Sequence, residues 1–348
     1  MKFVGVDLHK KTISICVVAK VRGKFKVIDR KRFACRPTDM ITKYLQTLGR
    51  FQLTVESTIG YEWFAALVEP LCDRLVIAHP AKLRVIAEST RKTDKIDAQI
   101  LAEFLAHDML PAAWMPTGRV RQHRSLVRYR HRIQRQITSL KNRSRGLLAR
   151  YNEDRAGLFT KAGWRIAMSL PLLDTEKWIL ARLGVELRYH HKRLKEADEA
   201  LVEFAKTAPA IEQEHREILA TMPGVGVVTI DVVLAELGDV RRFRNARQIT
   251  SFAGLDPGVR ESASKRMNLG ISRAGSRMLR WAMIQLAWRV IRQSTRWRHR
   301  YEQLKARKGS KQAITAIARR QLVVIAALMR RGETYDVTAK NNVATKVA

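Results

Sequence analysis

Phe3-Val4-Gly5-Val6-Asp7 is an apolar run that closes on a carboxylate. Valines around a glycine predict a short buried strand. A carboxylate ending such a strand needs a cation or a chemical purpose, because a charge taken out of water unpaired is strongly disfavoured. Working outward, Thr12 to Val21 is rich in β-branched residues and predicts a second strand, and Gly23 turns the chain into a third, Phe25 to Arg30. Leu53-Thr54-Val55-Glu56 is a fourth strand, also ending on an acid. An amphipathic helix from about Tyr61 to Arg74 leads to a fifth strand, Leu75-Val76-Ile77-Ala78, stopped by Pro80. A helix from about Thr93 carries Ile96, Ile100, Leu101, Phe104 and Leu105 on one side. Three leading strands, then strands alternating with helices, predict a mixed sheet with helices against it.

The chain is 348 residues long, which exceeds one ordinary domain. Its 46% hydrophobic residues suffice for real cores. Lys and Arg number 66 against 32 Asp and Glu, a net charge of +34 that repels itself unless a polyanion neutralises it. Nucleic acid is therefore the leading partner. The longest apolar run, Leu322 to Met329, spans eight residues, and the N-terminus carries Asp7 and no apolar signal core. The expectation is a cytoplasmic, nucleoid-associated protein with no membrane partner. Cys16, Cys35 and Cys72 are odd in number and lack metal-ligand spacing, as buried thiols in a reducing compartment would.

From 119 to 150 the chain changes character, with eleven Lys or Arg among thirty-two residues and no acid. Leu126, Ile133, Leu140 and Leu147 recur every seven residues, and so do Leu180, Leu187, Leu194 and Leu201. That stride predicts two long helices paired as an antiparallel coiled coil. Arg121, Arg124, Arg128, Arg132, Arg135, Lys141 and Arg145 are read as contacts to a nucleic-acid backbone. Met222-Pro223-Gly224-Val225-Gly226 separates two helical stretches, the pattern of a helix-hairpin-helix, in which Gly224 and Gly226 let backbone N–H groups approach a phosphate. Gly254 to Ser276 reads as a loop lined by Arg260, Lys265, Arg266 and Arg273. Trp281 and Trp288 read as core, while Arg296-Trp297-Arg298-His299-Arg300-Tyr301 is ambiguous between core and nucleic-acid contact. The expected organisation is α/β plus all-α: a metal domain over 1–115, a basic coiled-coil domain over 116–212 for oligomerisation and nucleic-acid binding, a helical domain over 213–335 and a flexible tail over 336–348.

Asp7 and Glu56 end strands, and Asp94 and Asp97 lie three apart on one helix face. If those strands are neighbours and the helix crosses them, four carboxylates converge. Such oxygen donors suit Mg2+ or Mn2+ rather than zinc, and two ions would clamp the oxygens of an in-line phosphoryl transfer. His9 and Lys10, just after Asp7, are placed to touch a scissile phosphate, although an exposed pair at the strand end is the safer reading.

Gly5-Val6-Asp7, Val55-Glu56-Ser57 and Lys92-Thr93-Asp94-Lys95-Ile96-Asp97-Ala98 resemble the DEDD motif of the insertion-sequence family 110 transposases, relatives of the Piv-type DNA invertases. The resemblance continues through Met222 to Gly226, Phe252-Ala253-Gly254-Leu255-Asp256-Pro257 and Leu269 to Arg280. It implies an RNase-H-like first domain similar to the resolvase RuvC, with Asp7, Glu56, Asp94 and Asp97 as metal ligands. It also implies a nucleophilic serine five residues after Pro257, which is Ser262, with Ser264 in reserve because Ala263 stands where members commonly carry glycine. Further implications are a covalent phosphoserine link, a homodimer or homotetramer acting on donor and target DNA, and guidance by a noncoding bridge RNA. Two other classes remain open: a hydrolytic, structure-specific nuclease, and a non-catalytic nucleic-acid scaffold.

Overall fold

The computed structural model describes residues 1–80, 82–83, 94–262 and 265–336, with backbone alone at 94–96, 259–262, 265–266 and 268. The chain divides into two compact units, Met1–Met115 and from Pro116 onward.

In the first unit β1 (Lys2–Leu8), β2 (Thr12–Val21) and β3 (Lys24–Ala34) form an antiparallel meander. Then come α1 (Asp39–Gln46), β4 (Phe51–Glu56), α2 (Tyr61–Val68), β5 (Arg74–Ala78) and α3 (Asp94–Ala106). The sheet order is β3-β2-β1-β4-β5, with β4 parallel to β1 and β5 parallel to β4. Strand alternation sorts side chains to two faces. Val4, Val6, Ile15, Leu53 and Val55 are buried with Ile41 and Leu45 of α1 and Phe64 and Val68 of α2. On the opposite face Cys16 and Val18 are buried with Ala98 and Ala102 of α3.

Gly5 sits on that second face. A Cβ there would come within 2.1 Å of the Ala98 carbonyl oxygen and 2.4 Å of the Ala102 nitrogen. The missing side chain lets α3 rest backbone to backbone on β1. Gly5→Ala is expected to lift the helix and cost on the order of 1–3 kcal/mol, read as a lower urea midpoint. An unchanged midpoint would contradict the close approach.

Two expectations are corrected. The helix begun at Tyr61 ends at Val68 rather than Arg74, because Pro70 lacks the N–H that would continue it, and Glu69–Leu71 tighten into a 3-10 turn. Edge strand β3 runs to Ala34 rather than Arg30, since ladder pairing of Ala34 with Thr12 extends it through charged residues. Helix α1 carried no sequence expectation.

In the second unit α4 (Gly118–Ala149) and α6 (Asp174–Lys206) run antiparallel, with α5 (Lys161–Ser169) in their connection. Ile133, Ile137 and Leu140 are buried against Leu183, Leu187 and Ala197, and Leu147 and Leu148 against Leu180. The seven-residue stride therefore marks a buried seam within one chain. There follow α7 (Ala210–Ala220), α8 (Val227–Leu237), α9 (Ala246–Phe252), the hairpin β6 (Pro257–Ser262) and β7 (Lys265–Ile271), α10 (Arg277–Gln293), α11 (Thr295–Lys308) and α12 (Ser310–Arg331). Val127 of α4 and Leu201 of α6 share a buried cluster with Val232, Leu286 and Leu322, so the long helices and the C-terminal helices have one core. Helix α12 is long and apolar enough to cross a membrane by length and composition. Its Ile317, Leu322, Ile325 and Leu328 are buried in that core. The loop expected from Gly254 to Ser276 instead contains the β6–β7 ribbon, because two strands paired through backbone need no apolar alternation. Beyond Asp336 the expected tail lies outside the described residues.

A charged cluster ties α4 to α7 and α8. Arg216 Nη2 reaches Asp231 Oδ1 at 2.8 Å and Glu212 Oε1 at 3.2 Å, while Arg119 Nε donates to Glu212 Oε2 at 2.5 Å. His123 Nε2 lies 3.1 Å from the same Asp231 oxygen. Burial alone would raise the Glu212 carboxyl, but the Arg119 and Arg216 guanidiniums outweigh it and hold the group below its ordinary value. Its stabilising contribution is complete above the ordinary glutamate range, about pH 4.3, and is lost as pH falls through the depressed value. Glu212→Gln is expected to cost on the order of 3 kcal/mol at pH 7 and to flatten the acid limb of stability against pH. Urea unfolding from pH 7 to pH 3 checks this, and an acid limb as steep as that of wild type would contradict it.

Candidate active site and nucleic-acid interface

The register of β1 and β4 places Val6 beside Val55, so the next residues, Asp7 and Glu56, leave adjacent parallel strands side by side. Both fall on the face that carries α3, two residues beyond Gly5 and the fully buried Thr54. Asp97 precedes Ala98, whose carbonyl stands over Gly5. Asp94 opens the same helix one turn earlier; its side chain lies outside the described residues. The fold thus brings the carriers of the four expected acids to one end of one sheet face.

His9 joins them. Its Nε2 is 3.0 Å from Asp7 Oδ2, with the Asp7 side chain 15% exposed and that of His9 50%. His9 is exposed at the strand end as expected, and its N–H donates to the Thr12 carbonyl at 2.9 Å in a tight turn that also returns the ring to Asp7. The available signal was the spacing of two residues from a strand-end acid.

Among the described residues no three His, Cys, Asp or Glu side chains gather as a metal cluster. Asp7, Glu56 and Asp97 are among those residues and do not meet as such a cluster, and the Asp94 side chain lies outside them. The donor chemistry fits a hard divalent cation, since the strand ends and the helix offer carboxylate oxygens.

Ser262 ends β6 and pairs in register with Lys265, placing it at the tip of the ribbon. Ser264 lies outside the described residues, as do the side chains of Ser262, Arg260, Lys265 and Arg266. The ribbon's base is locked by two glycines. A Cβ on Gly275 would meet the Phe252 carbonyl oxygen at 2.1 Å and the Gly254 nitrogen at 2.6 Å, and Gly254 itself has φ +64°. The Ser276 N–H donates to the Phe252 carbonyl at 2.7 Å. Its Oγ caps α10 by accepting from the Leu279 N–H at 3.2 Å and donates to Glu236 Oε2 at 3.0 Å. Glu236, 2% exposed, also takes Arg128 Nε at 2.9 Å. One buried carboxylate therefore joins the basic helix to the base of the serine ribbon.

A cationic cluster stands at the same base. Arg273 is exposed, and Arg280 donates from Nη1 to the Ala253 carbonyl at 2.9 Å. Burial pushes the Arg280 guanidinium down, and repulsion from Arg273 and Arg277 adds to it. Like charges held this close suit an anion such as a phosphodiester.

Most of the basic helix is engaged internally. Arg121 donates to the Pro116 carbonyl, Arg124 to the carbonyls of Ala235 and Glu236, Arg128 to the Glu236 carboxylate and Arg145 to Asp154. Lys141 lies 5.1 Å over the Phe159 ring. Arg132 and Arg135 are exposed, with no hydrogen bond or ion pair among the described residues. In the turn between α7 and α8, Gly224 has φ +76° and packs on Arg289 and Val290, while Gly226 has open space around it. Trp297 and Tyr301 are buried, which assigns the aromatic half of the Arg296–Tyr301 run to the core.

A DEDD transposase family model of the IS110 group matches residues 4–153, and the model of the transposase IS116/IS110/IS902 family matches residues 216–302. The transposase for insertion sequence element IS1111A of Coxiella burnetii is 27% identical over 96% of this chain and 91% of its own length. The transposase for insertion sequence element IS1328 of Yersinia enterocolitica is 25% identical over 82% of each chain. The pilin gene-inverting protein of Moraxella lacunata is 25% identical over 96% of this chain and 97% of its own. All four acids fall in the first match, and the serine ribbon with its locking glycines in the second.

Proposed function

The chain belongs to the IS110 family of insertion-sequence transposases, and from that premise we propose how its residues cut and rejoin DNA. Asp7, Glu56, Asp94 and Asp97 hold Mg2+ or Mn2+, two ions per site, in an RNase-H-like, RuvC-like first unit. The strand order β3-β2-β1-β4-β5 supports that fold reading. When bound, such ions stabilise charge on the attacking and leaving oxygens of an in-line displacement. His9, with its Nε2 3.0 Å from Asp7 Oδ2, positions the Asp7 carboxylate by close polar contact. Ser262 Oγ bonds to the scissile phosphorus as a backbone P–O bond breaks; the hydroxyl gives up its proton and the released strand oxygen gains one. One phosphoester replaces another, so the strand stays activated for rejoining. Arg260, Lys265, Arg266 and Arg273 neutralise phosphates around the ribbon, and Gly224 and Gly226 open a helix-hairpin-helix to the backbone. The two units that meet over DNA come from different copies of a homodimer or homotetramer assembled through an α4–α6 coiled coil. A noncoding bridge RNA selects donor and target, a reading supported by the +34 charge and tested by sequencing RNA that copurifies with the protein.

The observation that carries this reading is the side-by-side exit of Asp7 and Glu56 from parallel strands, under a helix that Gly5 holds close. The test is strand transfer on a supercoiled plasmid bearing the element's ends. Wild type with Mg2+ should yield rejoined products, and Glu56→Gln none. Nicked or linear products without rejoining would make the protein a hydrolytic resolvase instead.

A further inference from the structure

We propose that the exposed stripe of α4 beside Trp281 is a cleft for an unpaired DNA strand. An open cleft of about 650 Å³ runs along α4, lined among others by His131, Arg135, Asn142, Arg143 and Trp281 of α10. A second depression of about 430 Å³ continues it past Arg128 and Arg132. Residues 128, 132, 135, 139 and 143 lie on one helix face, a stripe about 22 Å long at 1.5 Å per residue. Arg132, Arg135 and Arg143 are exposed and make no hydrogen bond or ion pair among the described residues. They differ in this from Arg124, Arg128, Arg130 and Arg145, whose partners are on α8, α6 and the following loop.

The wall of the cleft is aromatic. The His131 and Trp281 rings are 4.5 Å apart between centroids, tilted 58°. Burial pushes the His131 imidazole below its ordinary value, with Arg135 and Arg130 adding to the effect, so the ring is neutral at pH 7.5 and presents a flat uncharged face. Exposed Ser139 and Asn142 add neutral hydrogen-bonding groups on the same side. Cations that track a backbone beside an aromatic surface are the chemistry of single-strand binding. The inference rests on the reading of the chain as acting on DNA, since strand exchange exposes unpaired DNA.

The test uses full-length Asp7→Ala protein, which leaves the oligonucleotides uncut. Fluorescence anisotropy compares a 5-iododeoxyuridine-substituted oligo-dT with a duplex of equal length. Combining Arg132→Gln, Arg135→Gln and Arg143→Gln should weaken single-strand binding at least tenfold. It should also reduce the slope of log affinity against log salt by about 2, at about 0.7 per phosphate on single strands, and change duplex affinity less than twofold. Irradiation should crosslink the oligonucleotide to Trp281 or His131. Unchanged affinity, an equal loss on duplex, or a crosslink confined to other residues overturns the cleft. An oligo-rU bound tenfold more tightly than oligo-dT overturns the choice of DNA over RNA. Failure here with strand transfer still dependent on Glu56 would sink the cleft alone, whereas single-strand binding as described without any strand transfer would sink only the chemistry.

Discussion

Asp7→Asn is expected to lower strand cleavage by at least about a thousandfold while leaving the fold intact. The substitution keeps the side chain's size and its place beside His9 but removes the charge at the strand end. Stabilising charge in an in-line phosphoryl transfer is worth several kcal/mol, and about 4 kcal/mol is a factor of about a thousand in rate. The side chain is only 15% exposed, so removing a charge from this place should not destabilise the sheet. Single-turnover cleavage and thermal melting, measured on the same preparation, check both halves. A rate within tenfold of wild type, with normal melting, would remove Asp7 from the chemistry.

Ser262→Ala is expected to lose strand exchange by about 10⁴-fold or more, the scale seen when a covalent nucleophile is deleted. It should also yield no protein bound covalently to DNA. Loss of one hydroxyl at a ribbon tip leaves the backbone ladder of β6 and β7 unchanged, so folding and DNA affinity should persist. A hydrolytic nuclease would keep cutting without this serine, because water can serve as its nucleophile. An adduct that survives Ser262→Ala and vanishes in Ser264→Ala would move the nucleophile by two residues. One that survives both would end the serine mechanism.

The first unit was legible because its strands announce themselves. Val4, Val6, Leu53 and Val55 are buried as their alternation requires, and Gly5 between valines marks the close helix approach. The strand-end places of Asp7 and Glu56 were legible for the same reason, since charge at the end of an apolar strand is conspicuous. The seam between α4 and α6 was visible in the leucine stride, although nothing in that stride separates an intrachain pair from an intersubunit one. The roles of individual arginines were not legible. Arg124 and Arg128 look like their neighbours in sequence, and only packing against α8 gives them the Ala235 carbonyl and the buried Glu236. The β6–β7 ribbon was hidden because Gly258, Gly270 and the polar residues around Ser262 carry loop composition, while backbone pairing alone supplies the order. Trp281 was read as core, and it does pack against the core, yet its remaining surface lines the cleft on α4. A single residue serving both a core and a groove gives no separate signal in sequence.

On the proposed mechanism, carboxylates at the sheet end drive a ribbon-tip hydroxyl into a phosphoester with DNA. Peptide mapping by mass spectrometry of reactions run with wild type and with Asp7→Asn tests it most directly. Wild type should give a nucleotide-bearing peptide with the added mass on Ser262, and the Asp7 variant should give none. A wild-type reaction that rejoins strands without any such peptide, or an adduct formed equally well by the variant, would rule out the carboxylate-dependent serine mechanism.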